Sequence, residues 1–315
     1  MIVTVTLNAA IDRTLTVPNF AIGFRHKATA TLTLPGGKGI NVARVVKTLG
    51  QPVIATGFAG GRTGDRIVTD LQWEGILCDF VRIEAESRTS TAVLDPTSGA
   101  ATEINEYGAD IAPDERELMF EKVAYLTRAA DVVLLAGSLP RNVEPGIYAD
   151  LITQIKSQGV PVLFDSYGEP LRQGIKAGPD VVFPNQVEAE MVIGHEFGSE
   201  EDLVLAPRAL RELGAGGAVV TYGRGCTAEF EHEGKIRTFR GRGPEVETVS
   251  AVGSGDALVG GFAAKLAEGE GPEVCLRHGL ACAAANALRY GAGVLTAEDA
   301  ERLVAAVQLE EVKVD

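Results

Sequence analysis

Cysteine and histidine are scarce in this chain of 315 residues, with four of each. Cys78, Cys226, Cys275 and Cys282 form no C-x-x-C pair. Neither a zinc site nor a disulfide framework is expected, and the thiols read as reduced and buried in a cytoplasmic protein. Basic residues are the minority: 29 Lys and Arg against 43 Asp and Glu leave a formal charge of −14. That balance excludes the broad basic face that nucleic acid needs, although a few local cations can still hold a small anion. No stretch approaches the roughly 20 apolar residues of a membrane span. The first residues, MIVTVTLNAAIDRT, lack the basic and apolar regions of a signal peptide. Repeats and low-complexity linkers are absent too. The P-loop pattern G-x-x-x-x-G-K-[ST] does not occur, and no G-x-G-x-x-G follows a strand within a βαβ unit, which sets a dinucleotide-dependent oxidoreductase aside.

What is present is an alternation of short apolar runs and helical patterns, with 45% apolar residues to fill a core. Strands are expected over residues 2–7, 53–57, 132–136, 160–165, 181–183 and 218–221. Helices are expected over 41–49, 63–74, 113–128, 145–158, 200–213 and 257–267. This order implies an α/β fold whose mostly parallel sheet carries helices on both faces. Residues 11–34 and 87–106 break the alternation, because Thr alternates with apolar residues there and marks strands with one polar face. They read as a small separate sheet, with a lid favoured over an antiparallel edge of the main sheet. The division that follows is a core of residues 1–10, 35–86 and 109–315 with a discontinuous lid of 11–34 and 87–108.

Two glycine turns enter helices. In S-A-V-G-S-G-D-A-L-V-G-G-F, from Ser250 to Phe262, the turn Gly253-Ser254-Gly255 precedes an acid. Helix N-termini favour anions, so Asp256 either caps the helix or works beside an incoming anion. In P-G-G-K-G-I-N-V-A-R, from Pro35 to Arg44, Gly36 and Gly37 let the backbone approach a ligand. Lys38 offers charge to a phosphate, and Asn41 offers an amide to sugar hydroxyls; an ordinary turn with a solvated Lys is the alternative. Asp12 follows the first strand, at the strand end where open α/β sheets bind ligands, or is a turn aspartate.

L-N-A-A-I-D at 7–12, P-G-G-K-G-I-N-V-A-R at 35–44 and V-G-S-G-D-A at 252–257 together resemble the PfkB (ribokinase-like) carbohydrate kinase family. T-E-I-N-E at 102–106, A-G-S-L-P at 136–140, F-D-S-Y-G-E at 164–169 and P-N-Q-V-E at 184–188 support the match. Within that family the chain looks most like the hexose-phosphate branch of 1-phosphofructokinases and tagatose-6-phosphate kinases. The resemblance implies a Rossmann-like core with a β-sheet lid. It also implies transfer of the γ-phosphoryl group of ATP to a sugar hydroxyl, with Mg²⁺ as cofactor.

The resemblance distributes the roles. Asp256 is the implied base, with Gly253, Ser254 and Gly255 as the anion hole that stabilises equatorial oxygens. Asp12, Gly36, Gly37 and Asn41 are implied sugar contacts, with Lys38 nearby. Arg88 is the implied phosphate clamp, completed by Asn105 and Ser138. Arg25 and Lys27 read better as solvated lid surface. On the nucleotide side stand Asn185, Thr221, Gly223, Gly225 and Asn286, with Glu188 acting on Mg²⁺ through water. The implied acceptor is a ketohexose phosphate: fructose 1-phosphate giving fructose 1,6-bisphosphate, or tagatose 6-phosphate as the alternative. A silent sugar-phosphate sensor is the rival of another class, but a sensor has no need of Asp256. The sequence departs from the branch at Phe183, where a Lys is common, and at Tyr107, Arg141, Asn142 and Ser250. A homodimer through the lid is a further expectation.

Overall fold

The structure, a computed structural model, describes residues 1–313. Those residues hold two sheets, one of eleven strands and one of four. The large sheet is centred on Ile2–Thr6, which pairs in parallel with Val53–Gly60 on one side and Val132–Ala136 on the other. Parallel order continues through Val162–Asp165, Val181–Val182 and Gly217–Tyr222. The sense then reverses, and Gly225–His232, Lys235–Arg242 and Gln308–Val312 extend that edge as antiparallel strands. Leu77–Cys78 and Val81–Ile83 close the other edge.

Strand side chains alternate between faces, and the chain is apolar on both. Ile2, Val132, Leu134 and Leu163 belong to one buried cluster, and Val3, Val5, Val133, Leu135 and Phe164 to the other. Helices Lys38–Thr48, Gly61–Trp73, Ser254–Ala267 and Pro272–Ala287 cover the first face. Pro113–Thr127, Ile147–Lys156, Gly168–Lys176, Gln186–Ile193 and Glu200–Glu212 cover the second. Each fully buried aliphatic side chain contributes roughly 1.5–3 kcal/mol, so both layers are needed to hold the sheet. No helix among the described residues is long and apolar enough to cross a membrane.

The small sheet runs in the order Ala30–Gly36, Ala10–Thr16, Arg88–Asp95, Ala100–Asn105. The two Thr-rich stretches therefore form a sheet of their own. The main sheet does have an antiparallel edge, built from 225–242 and 308–312, which the sequence reading did not anticipate. Its hairpin turns at Glu233 and Gly234, whose φ angles of 52° and 72° are the left-handed pair of a tight hairpin.

Two helix starts differ from expectation by three residues, and those at Gly61 and Ile147 by two. Lys38–Thr48 begins three residues before Asn41, and Ser254–Ala267 begins three residues before Ala257. Each glycine before the helix has positive φ, 103° at Gly37 and 80° at Gly253, so the chain turns directly into the helix.

Candidate active site

A cavity of about 730 Å³ lies at the carboxyl ends of the parallel strands and is lined from both sheets. Asn8, Ser138, Asp165, Asn185 and Thr221 reach it from successive strand ends. That placement follows from topology, since strand ends and helix N-termini converge there.

Asp256 sits in the first turn of helix Ser254–Ala267 and is 8% exposed. The Ser254 N–H donates to Ala251 O at 3.2 Å and the Ala257 N–H to Gly253 O at 2.9 Å. The N–H groups of Gly255 and Asp256 have no partner among the described residues. A Cβ on Gly253 would come 2.4 Å from Ala292 Cα, whereas one on Gly255 would meet nothing within 4 Å. The first glycine is packed from below, and the second faces open space. Burial pushes the Asp256 carboxyl up to about 7, against the pull of Lys38 and with the push of Asp165. Asn41 Nδ2 donates to Asp256 Oδ2 at 2.8 Å.

Lys38 lies 2.7 Å from Asp165 Oδ1 and 3.7 Å from Glu188 Oε1. Burial alone would lower its pKa, but Asp165, Glu188 and Asp256 together raise it, so it is a fixed ammonium. Its charge is engaged by these carboxylates, and the half-buried side chain also lines the cavity. Asp165 stands within F-D-S-Y-G-E, where the sequence alone assigns it no role. Its signal is an acid at the end of a buried parallel strand.

On the small-sheet side, Asp12 and Arg88 both line the cavity from neighbouring strands. Burial raises the Asp12 pKa and Arg88 opposes that rise. A Cβ on Gly36 would fall 1.9 Å from Asp12 Oδ2, so this glycine makes room for the carboxylate. Arg88 donates to Asn8 O at 3.1 Å, Ser90 Oγ at 3.0 Å and Glu106 O at 3.3 Å. Asn8 Nδ2 donates in turn to Ser138 Oγ at 3.0 Å and Leu139 O at 3.1 Å. The sequence reading gave Asn8 no role, although it stands inside L-N-A-A-I-D. Gly37 and Asn105 line the cavity, Asn105 from the exposed outer strand. Arg25 and Lys27 are exposed and do not line it.

A second cavity of about 580 Å³ adjoins the first and shares Asn185, Thr221, Gly255 and Leu258 with it. Gly223, Gly225, Ser254 and the small residues Ala283, Ala284 and Ala287 complete its wall. Thr221 is the last residue but one of strand Gly217–Tyr222, and Gly223-Arg224 is the two-residue turn of a hairpin rather than a longer loop. The N-x-x-E motif is a capping box: Glu188 N–H donates to Asn185 Oδ1 at 2.9 Å, and Asn185 N–H to Glu188 Oε2 at 2.8 Å. The second Glu188 oxygen is left toward Lys38.

Asn286 requires a correction. It is fully buried and lines neither cavity. Its Nδ2 donates to Val252 O at 2.8 Å, so it supports the glycine turn from beneath. Phe183 is 4% exposed and packs edge-on against Phe262 with ring centroids 5.2 Å apart. The main core thus extends to the cavity wall where the branch commonly has a Lys.

The carboxylates present are hard oxygen donors, as Mg²⁺ prefers. No group of three or more His, Cys, Asp or Glu among the described residues could hold a metal by itself. Asp165 and Glu188, the two acids beside Lys38 at the cleft, are the protein carboxylates that such an ion would meet through water.

A family model described as pfkB family carbohydrate kinase matches residues 3–299. The 1-phosphofructokinase of Borreliella burgdorferi is 30% identical over 312 residues, 99% of each chain. That of Escherichia coli (strain K12) is 31% identical over 310 residues, 98% of each. Phosphofructokinase-2 from Escherichia coli, solved in complex with fructose-6-phosphate, superposes with a TM-score of 0.88 at 29% identity, covering 97% of this chain and 98% of that one. With the family model spanning nearly its whole length, the chain belongs to the pfkB family of carbohydrate kinases and is a phosphotransferase.

Proposed function

We propose that the protein transfers the γ-phosphoryl group of ATP to fructose 1-phosphate, giving fructose 1,6-bisphosphate. The observation that carries this reading is the position of Asp256, buried at the larger cavity and next to Gly255, which lines both cavities and whose N–H is unpartnered among the described residues. The acceptor hydroxyl attacks the γ-phosphorus and its proton passes to the Asp256 carboxylate. The bond from phosphorus to the β,γ-bridging oxygen breaks, and ADP leaves with that electron pair. Backbone N–H groups of the 253–256 turn stabilise the equatorial oxygens without reorganising. Asp12 and Asn41 orient the sugar, and Arg88 with Ser138 and Asn105 grips its phosphate.

Glu188, with Asp165 beside it, would hold Mg²⁺ through water, and the ion supplies neutralising charge to the phosphates. The larger cavity takes the sugar phosphate and the smaller one the nucleotide. The small sheet acts as a lid in this reading, and two copies pair through it, where Ile104 and Tyr107 are exposed. Size-exclusion chromatography tests the pairing.

The neighbour solved with fructose-6-phosphate favours a second reading, in which the acceptor is that isomer. The deciding experiment is ADP release with Mg-ATP against fructose 1-phosphate, fructose 6-phosphate, tagatose 6-phosphate, fructose and ribose. Turnover confined to fructose 1-phosphate supports the first reading. Turnover with another sugar phosphate moves the assignment to that one. Binding of a sugar phosphate without any turnover leaves a sensor.

A further inference from the structure

Arg44 lies behind the cleft, on helix Lys38–Thr48, and is 8% exposed. A guanidinium has five N–H donors and no acceptor. Here all five are used. Nε and Nη2 grip the two oxygens of Glu74 at 2.6 and 3.1 Å, and Nη2 also reaches Pro35 O at 2.7 Å. Nη1 donates to Ala292 O at 2.9 Å and to Asn41 Oδ1 at 3.3 Å.

Two consequences follow for the reacting groups. Because arginine only donates, Asn41 must turn its oxygen toward Arg44. Its Nδ2 is then fixed toward Asp256, where it donates at 2.8 Å. A flipped amide would place oxygen against carboxylate and favour the protonated acid. Ala292, the second partner, packs directly under Gly253, since a Cβ there would fall 2.4 Å from Ala292 Cα. One side chain therefore sets both the hydrogen bond to the base and the floor of the glycine turn.

We propose that Arg44 is a positioning residue for phosphoryl transfer: it orients Asn41 so that Asp256 is held as a carboxylate, and it braces Ala292 against the turn at Gly253. This rests on Asp256 being the base. The charged groups that face Asp256 are Lys38 from the 38–48 helix, Asp165 from the end of a main-sheet strand and Asp12 from the small sheet. Arg44→Lys leaves these in place and keeps the charge that Asp12 feels, but it removes the planar fork.

The test is the pH profile of kcat/KM for Arg44→Lys and Glu74→Gln, measured with Mg-ATP and the sugar phosphate that the acceptor panel identifies. In Arg44→Lys the acid limb is expected to move up by about one pH unit and kcat to fall about 10- to 100-fold, with the KM for ATP within about threefold. Glu74→Gln moves the limb the same way by less, and it decides the matter alone if Arg44→Lys does not fold. Asp256→Asn runs alongside. Activity retained there removes the base itself. Activity lost there, with unmoved acid limbs in the folded variants, overturns the role of Arg44 and leaves the base intact.

Discussion

The ammonium of Lys38 lies 2.7 Å from the carboxylate of Asp165, and the same nitrogen is 3.7 Å from Glu188. One cation thus stands among acids and also lowers the pKa of Asp256, against a stronger push from burial.

Removing that cation should leave the base largely protonated at neutral pH. In Lys38→Met the Asp256 pKa rises above its present value of about 7. Activity at pH 7 is expected to fall roughly 10²–10³-fold and to recover partly by pH 9. Rate measurements across pH 6–9 check this. Equal loss at every pH would show that Lys38 acts only by packing. The variant should also melt lower, because Asp165 would be left buried without its partner.

For the unaltered enzyme, kcat/KM should fall about tenfold per pH unit below an apparent pKa near 7, because the base must be ionised to accept the hydroxyl proton. A profile flat down to pH 5 would contradict the assignment of Asp256.

Asp256→Asn should lose about 10²–10⁴-fold in kcat and gain stability at neutral pH. The sign is fixed by linkage. The folded pKa of about 7 lies above the ordinary value of 3.8, so the native state binds the proton more tightly. Stability is then fully present below pH 4 and declines as pH rises toward 7. The amide escapes that decline. Its unfolding free energy should exceed that of the parent by roughly 1–3 kcal/mol at pH 8, with the gap closing toward pH 4. Denaturant titrations at the two pH values read the difference.

Gly36→Ala should act on the sugar and not on the nucleotide. The added methyl would collide with Asp12 Oδ2, only 1.9 Å away, and displace the carboxylate. A rise of about tenfold or more in the KM for the sugar phosphate is expected, with the KM for ATP within about twofold. A parallel rise in both constants would mean that the whole cleft has shifted.

The glycine turns were legible in sequence because their function demands unusual backbone, and Gly37 and Gly253 both have left-handed φ. The Thr alternation of the small sheet was legible because one face stays polar. Other features carried no local signal. Helix Pro272–Ala287 is rich in small residues and buried on most of its surface, so no apolar stripe announces it. Asn286 matched a motif, but its burial beneath Val252 depends on how two helices stack, which no single stretch encodes. Asp165 and Lys38 are 127 residues apart and meet only through sheet order.

Asp12 and Arg88 ride on the small sheet, on neighbouring strands whose register pairs Ala10 with Arg88 and Asp12 with Ser90. Asp256, Asn41 and the glycine turn are bedded in the main core. In the proposed function, acceptor choice would then rest on partly exposed strand positions such as Ser90, Thr91 and Ala92, which line the cavity and where substitution disturbs little packing. Phosphoryl chemistry is written on buried ones, where it disturbs much. Under the proposed function, the sugar contacts can therefore be altered at low structural cost, whereas any change to the transfer machinery must be absorbed by the core.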